Sequence, residues 1–221
     1  MACAGSNRPA IFHEKSMITS IIFDLGNVLL NWKPAEYLEQ NGFTDPGKSL
    51  ILSDIFNSPE WLKIDNGDLT VEEAIKIISD RSPLSEDKIR TVFDLRLKII
   101  FPLHPNTDLL PELKKRGYRL YYLSNFPDDI FDEVQKKYCF FQYFDGGKIS
   151  ARLRASKPDE KIFRIFLSAY SLSPSECLFI DDSDVNAGAA EKLGIKTIHL
   201  KTPGMLKSAL EKSLGITLDI N

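Results

Sequence analysis

Apolar positions along the chain follow two different periods. Between residues 17 and 32, and again after residue 101, short continuous apolar runs end in polar turn residues. Between residues 33 and 101 apolar residues recur at helical spacing, with no strand signal. The first run, 18–23, is β-branched and aromatic and reads as a strand buried on both faces. It stops at Asp24, and Gly26-Asn27 follows as a turn signal. Helical pieces are predicted at 34–40, 48–56 and 59–64, from Thr70 onward, and at 85–100. The fourth opens on Thr70-Val71-Glu72-Glu73, a capping box, and carries Val71, Ala74, Ile75 and Ile78 on one face. A crossover between parallel strands needs only about a dozen residues. About 70 residues of helix at this point therefore form an insertion, an all-helical cap domain over 33–101.

Past Pro105 strand and helix alternate. Helices are predicted at 107–116, 127–138, 158–170, 185–193 and 206–214, and strands at 118–123, 140–149, 176–180 and 195–200. Gly117 and Gly194 close helices as C-caps, and Asp184 is placed as an N-cap. Such alternation predicts an α/β fold, a Rossmann-like doubly wound parallel sheet built from 17–32 and 102–221. Residues 1–16 are polar and lack an apolar stretch, so they read as a flexible leader and not as a signal peptide.

Composition narrows the function classes. Hydrophobic residues make up 43% of the chain, enough for a sizeable core, and the formal net charge is −3. That balance gives no electrostatic footprint for nucleic acid and no basic patch for a membrane surface. No apolar run is long enough to span a bilayer. The 3 cysteines, Cys3, Cys139 and Cys177, are scattered; Cys139 and Cys177 read as small core hydrophobes in a reducing compartment, which points to the cytoplasm. His13, His104 and His199 share no metal spacing. Asp65-Asn66-Gly67-Asp68 reads as a turn, because Ile75, Lys76 and Ile77 stand where a calcium loop needs its glutamate. Trp32 and Trp61 could line a cleft between cap and core but read first as core, and Arg96 could touch a substrate from the cap but reads first as an exposed helix-face residue.

Candidate chemistry sits at the strand ends. Asp24, Ser124-Asn125 and Asp181-Asp182 each follow an apolar run, where ligands bind in open α/β sheets. Lys157 opens a helix as Ser156-Lys157-Pro158. Taken alone, Asp24 is a metal ligand, a nucleophile or a cap. Together, separated carboxylates suit a hard cation such as Mg²⁺, which usually accompanies a phosphate. A serine hydroxyl with a following N–H, and a lysine, can bind phosphate oxygens. A carboxylate aimed at phosphorus beside a metal can form an aspartyl-phosphate.

These motifs resemble those of the haloacid dehalogenase superfamily of aspartate-nucleophile hydrolases. They run in the family's order: Phe23-Asp24-Leu25-Gly26-Asn27-Val28-Leu29, Leu123-Ser124-Asn125, Lys157-Pro158-Asp159-Glu160, and Ile180-Asp181-Asp182-Ser183-Asp184-Val185-Asn186. The insertion after the first motif resembles the family's helical cap, and the first motif is similar to that of bacterial sugar-phosphate phosphatases acting on substrates such as glucose 1-phosphate. The resemblance implies a Mg²⁺-dependent phosphatase of a small phosphorylated metabolite. Within it Asp24 is nucleophile and metal ligand, and Asp182 and the Gly26 carbonyl complete the protein's metal ligands. Ser124, Asn125 and Lys157 hold the transferring phosphoryl, while Asp181 and Asn186 support the metal site.

One position departs from the pattern. The family's phosphatases commonly carry an acid–base aspartate two residues after the nucleophile, and here that residue is Gly26. General acid–base help is typically worth about 10²–10⁴-fold, so three outcomes are open: a cap residue supplies the proton, the substrate has a good leaving group, or the activity is low. Two other functions share the fold: a metal-independent 2-haloacid dehalogenase, which Asp181-Asp182 disfavours by repelling a carboxylate substrate, and a non-catalytic binding protein, which the retained Asp24, Lys157 and Asp182 disfavour.

Overall fold

The structure, a computed structural model, describes residues 17–219. The predicted leader lies outside the described residues, as does Cys3. In chain order the elements are β1 (Ser20–Phe23), then helices α1 (Pro34–Gln40), α2 (Gly47–Ile51), α3 (Pro59–Asp65), α4 (Val71–Arg81), α5 (Glu86–Asp94), α6 (Arg96–Ile99), α7 (His104–Thr107) and α8 (Leu110–Lys115). β2 (Arg119–Ser124), α9 (Asp128–Lys137), β3 (Gly146–Ile149), α10 (Ser150–Leu153), α11 (Glu160–Ala169), β4 (Cys177–Asp181), α12 (Asp184–Glu191), β5 (Lys196–His199) and α13 (Leu206–Leu214) complete the chain.

All strand pairs are parallel, in the order β3-β2-β1-β4-β5. β1 sits at the centre with all its residues buried. Its alternate side chains feed two cores: Ile21 and Phe23 join Leu178 and Ile180 on one face, while Ile22 joins Tyr121, Leu123 and Phe179 on the other. Two-sided burial explains why the run at 18–23 shows no polar alternation.

The helical insert between β1 and β2 has its own core, built on Leu38, Ile55, Trp61, Ile75, Ile78, Val92 and Phe93. The capping box forms as the sequence predicts: Thr70 Oγ1 accepts from Glu73 N at 3.2 Å, and Glu73 Oε2 accepts from Thr70 N at 2.8 Å. The two chain crossings into the insert run side by side. Leu30 and Pro102 form an antiparallel bridge, Asn31 N donates to Phe101 O at 2.8 Å, and Asn31 Nδ2 donates to Ile99 O at 3.0 Å.

Several local expectations change. The helix at 85–100 is two, jointed at Leu95, where the Arg96 side chain turns back to donate to Phe93 O at 2.7 Å. The helix at 107–116 is interrupted before α8 by Pro111, which has no N–H for the preceding turn. Only Gly146–Ile149 of the strand at 140–149 forms, and the adjacent Phe140 and Phe141, both buried, are not part of it. They instead pack in a helical turn against Phe144 and Tyr122. The N-cap of α12 is Ser183, whose hydroxyl accepts from Asn186 N at 3.4 Å, and Asp184 is the first helical residue. Cys139 is exposed at the edge of the aromatic turn, whereas Cys177 is buried as read. Among the described residues no helix is long and apolar enough to cross a membrane.

Candidate active site

The carboxyl ends of β1, β2 and β4 open into one cleft of about 230 Å³. Asp24, Ser124, Asn125, Lys157, Asp182, Gly26 and Asn186 all line it. Asp24 follows β1 directly, and its N–H donates to Ile180 O at 2.8 Å, locking the acid to the sheet edge. Lys157 is buried beneath it. Its ammonium donates to Asp24 Oδ1 at 2.8 Å and to Asp181 Oδ2 at 2.6 Å.

Asp181 is saturated: its other oxygen accepts from Ser183 N at 2.9 Å and Asn186 Nδ2 at 3.0 Å. Asp182 accepts from Asn27 Nδ2 at 3.0 Å. Oxygens of Asp24, Asp181 and Asp182 lie within 4.8 Å of one another. With Asp181 committed, Asp24 and Asp182 are the pair that could face a cation, and an all-carboxylate set fits a hard divalent ion. Gly26 lies beside them on the cleft wall.

Asn125 ties the end of β2 to the lysine. Its side chain clamps the Lys157 backbone, donating to Lys157 O at 2.9 Å and accepting from Lys157 N at 2.9 Å. Its amide therefore positions the lysine, and any phosphoryl contact from this residue falls to its main chain. Ser124 is buried at the end of β2 and interacts with Asp24.

Burial and neighbouring charges both act on the ionisable groups of the site. Burial pushes the Asp24 carboxyl up to about 6, against the pull of Lys157 and with Asp181 adding to the rise. Burial works against the Lys157 ammonium, yet Asp24 and Asp181 outweigh it and hold its pKa above the usual value. Asp182 is also raised, by burial first, against the Asn27 hydrogen bond.

The side of the cleft facing the insert is apolar. Trp32 stacks on Trp61 at 5.5 Å between ring centroids, and Trp61 stacks on Phe93 at 5.6 Å. Leu30, Ile100, Phe126, Pro127 and Ile130 continue this wall. Trp61 is thus both core, as read from the sequence, and cleft lining.

Residues that sequence reasoning missed also stand here. Asn27 adopts φ of 53°, a left-handed turn that asparagine tolerates, and links Asp182 to the Trp32 N–H through a 3.1 Å bond to its Oδ1. Asp65 ends α3 on the cleft wall. An acid in a helix's last turn opposes the helix dipole, a signal readable in the sequence. Arg96, expected on an exposed face, is buried and grips Asp129 at the start of α9 with two bonds of 2.7 and 3.1 Å.

A parallel sheet with an acid–lysine cluster at its carboxyl edge and a helical insert over the cleft defines an α/β enzyme. The sequence profile of the haloacid dehalogenase-like hydrolases matches residues 18–194, and the chain belongs to that family. It is 29% identical to the sesquiterpene phosphatase astK of Aspergillus oryzae, over 81% of this chain and 88% of that protein. It is 25% identical to the putative pyrophosphatase PpaX of Clostridium perfringens, over 84% of this chain and 85% of that one. Among solved structures it superposes on the HAD family enzyme BT-2542 of Bacteroides thetaiotaomicron in complex with magnesium and inorganic phosphate. The TM-score is 0.65 at 26% identity, covering 82% of this chain and 93% of that one.

Proposed function

We propose that this hydrolase is a Mg²⁺-dependent phosphatase acting on a small phosphorylated metabolite through a phospho-Asp24 intermediate. The observation that carries this is the convergence of Asp24, Lys157 and the Asp24–Asp181–Asp182 carboxylates at one cleft floor. Asp24 attacks phosphorus and the ester oxygen leaves; water then cleaves the acyl phosphate. Lys157 holds Asp24 ionised and offsets the charge of the phosphoryl group, which Ser124 and the Asn125 main chain orient. Asp24, Asp182 and the Gly26 carbonyl would hold the metal, which supplies positive charge to the transferring oxygens. Asp181 and Asn186 keep Lys157 and the acids in register. The core over 17–32 and 102–221 carries this chemistry, and the cap over 33–101 shields it from water. The unpaired cysteines among the described residues, Cys139 and Cys177, fit a cytoplasmic setting.

A sugar phosphate is the substrate expected from the first motif. A second reading is favoured by the wall of Leu30, Trp32, Trp61, Ile100, Phe126 and Ile130: a phosphate ester of an apolar alcohol, whose hydrocarbon part that wall would desolvate. The similarity to a sesquiterpene phosphatase points the same way. The test is phosphate release from 4-nitrophenyl phosphate, glucose 1-phosphate and farnesyl phosphate, with Mg²⁺ and with EDTA, by wild type and Asp24→Asn. Metal-dependent turnover that vanishes in the variant supports the phosphatase, and the ratio of the two biological esters ranks the substrates. Silence toward all three, or halide release from 2-chloropropionate without metal, would refute it.

A further inference from the structure

Asp24 and Asp182 belong to the acid cluster and Lys157 is tied between two carboxylates, so none of them is free to carry a proton to and from a leaving group. Among the described residues lining the cleft, one carboxyl stands outside that cluster, Asp65 at the end of α3. Its Oδ1 is buried and has no hydrogen-bond partner. A buried carboxylate oxygen without a partner is costly unless the group is protonated or a ligand completes it.

The backbone beneath Asp65 is fastened to the core beside Lys157. Ser150 Oγ accepts from Phe126 N at 3.0 Å and donates to the Asp65 carbonyl. Ser156, the residue before Lys157, donates to Asn66 Oδ1 at 2.9 Å. Gly67, at φ of 75°, passes so close to the Ala151 carbonyl that no Cβ would fit. The α3 terminus is therefore held against the same loop that delivers Lys157, and this contact sets where the Asp65 carboxyl lies in the cleft.

We propose that Asp65 is the acid–base residue of the hydrolysis, supplied by the cap where the core has Gly26. This rests on Asp24 being the nucleophile. In the first step an Asp24 oxygen bonds to phosphorus, the bond from phosphorus to the ester oxygen breaks, and the Asp65 carboxyl gives its proton to that oxygen. The products are the alcohol, phospho-Asp24 and an Asp65 carboxylate. In the second step water attacks phosphorus, Asp65 takes the water proton, and the bond to Asp24 breaks. Inorganic phosphate leaves and both aspartates return to their starting forms.

The surroundings of Asp65 suit a group that must hold and release a proton near neutral pH. Burial pushes its carboxyl up to about 7. The Trp61 indole N–H and the Arg96 guanidinium oppose that rise, and Asp129 adds to it. Asp24, Asp182 and Lys157 line the same cleft.

The test uses full-length wild type, Asp65→Asn and Asp65→Glu with 4-nitrophenyl phosphate and Mg²⁺ in stopped flow. Nitrophenolate needs no proton to leave, so Asp65→Asn should still release one equivalent of it in a burst. Steady turnover should then fall about 100-fold or more, because no base activates water. The limb of the wild-type pH profile near 7 should vanish in Asp65→Asn, and Asp65→Glu should recover part of the turnover. Turnover of Asp65→Asn within about threefold of wild type, an unchanged pH profile, or a rise in KM alone would overturn the assignment. A merely structural role would lower burst and turnover together, and that outcome also overturns it. Failure of the phosphatase reading itself shows differently: wild type then releases nothing, or Asp24→Asn matches it.

Discussion

At the floor of the cleft, Lys157 donates to Asp24 and Asp181 at 2.8 and 2.6 Å, and Asn186 and Asn27 hold the remaining acids at 3.0 Å. On the cap side, Trp32, Trp61, Phe56 and Phe93 meet through ring contacts at 5.1–5.9 Å. The floor is a directional network in which each partner's loss strands a buried charge. The wall is non-directional area, in which one ring can replace another at modest cost. The floor therefore dictates which reaction can occur, and the wall can change substrate without disturbing it. Among the described residues lining the cleft, Asp65 is the one carboxyl outside the floor cluster.

That contrast has measurable consequences. Lys157→Met should be the most damaging floor variant, leaving Asp24 and Asp181 facing each other unpaired. A loss of about 3–5 kcal/mol in urea unfolding is expected, and a loss under 1 kcal/mol would mean that the network is far weaker than its geometry. Trp61→Ala removes a ring that is 7% exposed and should cost about 3 kcal/mol. Its KM for farnesyl phosphate should rise more than its KM for glucose 1-phosphate. Equal rises would show that the wall does not read the alcohol.

Arg96→Ala cuts the buried bidentate tie to Asp129 and should lower stability by about 1–3 kcal/mol. It should also loosen the insert, seen as faster amide exchange in α6 and α9; unchanged exchange there would mean that the tie does not hold the insert to the core.

A further effect is a pH-dependent one on stability. Burial pushes the folded Asp65 carboxyl up to about 7 from the ordinary carboxylate range, so folding favours its neutral form. Its contribution is fully present below about pH 4 and is lost as pH rises through 7. Asp65→Asn should thus melt a few degrees above wild type at pH 8 and close to it at pH 4. A variant less stable at pH 8 than at pH 4, relative to wild type, would reverse that sign.

The floor was legible in the sequence because its residues stand next to the strands that place them. Asp24 and Asp181 each close an apolar run, and parallel pairing of β1 with β2 and β4 brings those ends together. Lys157 was legible only by motif, since its position depends on the Asn125 clamp across 32 residues. The wall was legible only as a possibility for Trp32 and Trp61, because they, Ile100 and Ile130 come from separate segments and each also satisfies a core pattern. Arg96 looked exposed because its partner, Asp129, lies 33 residues away. Asp65 sat inside a sequence that reads as a plain turn, and its unpartnered oxygen exists only once α3 docks on the core.

The central claim, a covalent phospho-Asp24 intermediate, can be tested directly. Wild type mixed with Mg²⁺ and 4-nitrophenyl phosphate is quenched in acid within milliseconds, digested and mapped by mass spectrometry. One phosphoryl group should appear on the peptide that carries Asp24, more of it in Asp65→Asn and none in Asp24→Asn. Turnover without any adduct, or an adduct on another residue, would contradict it.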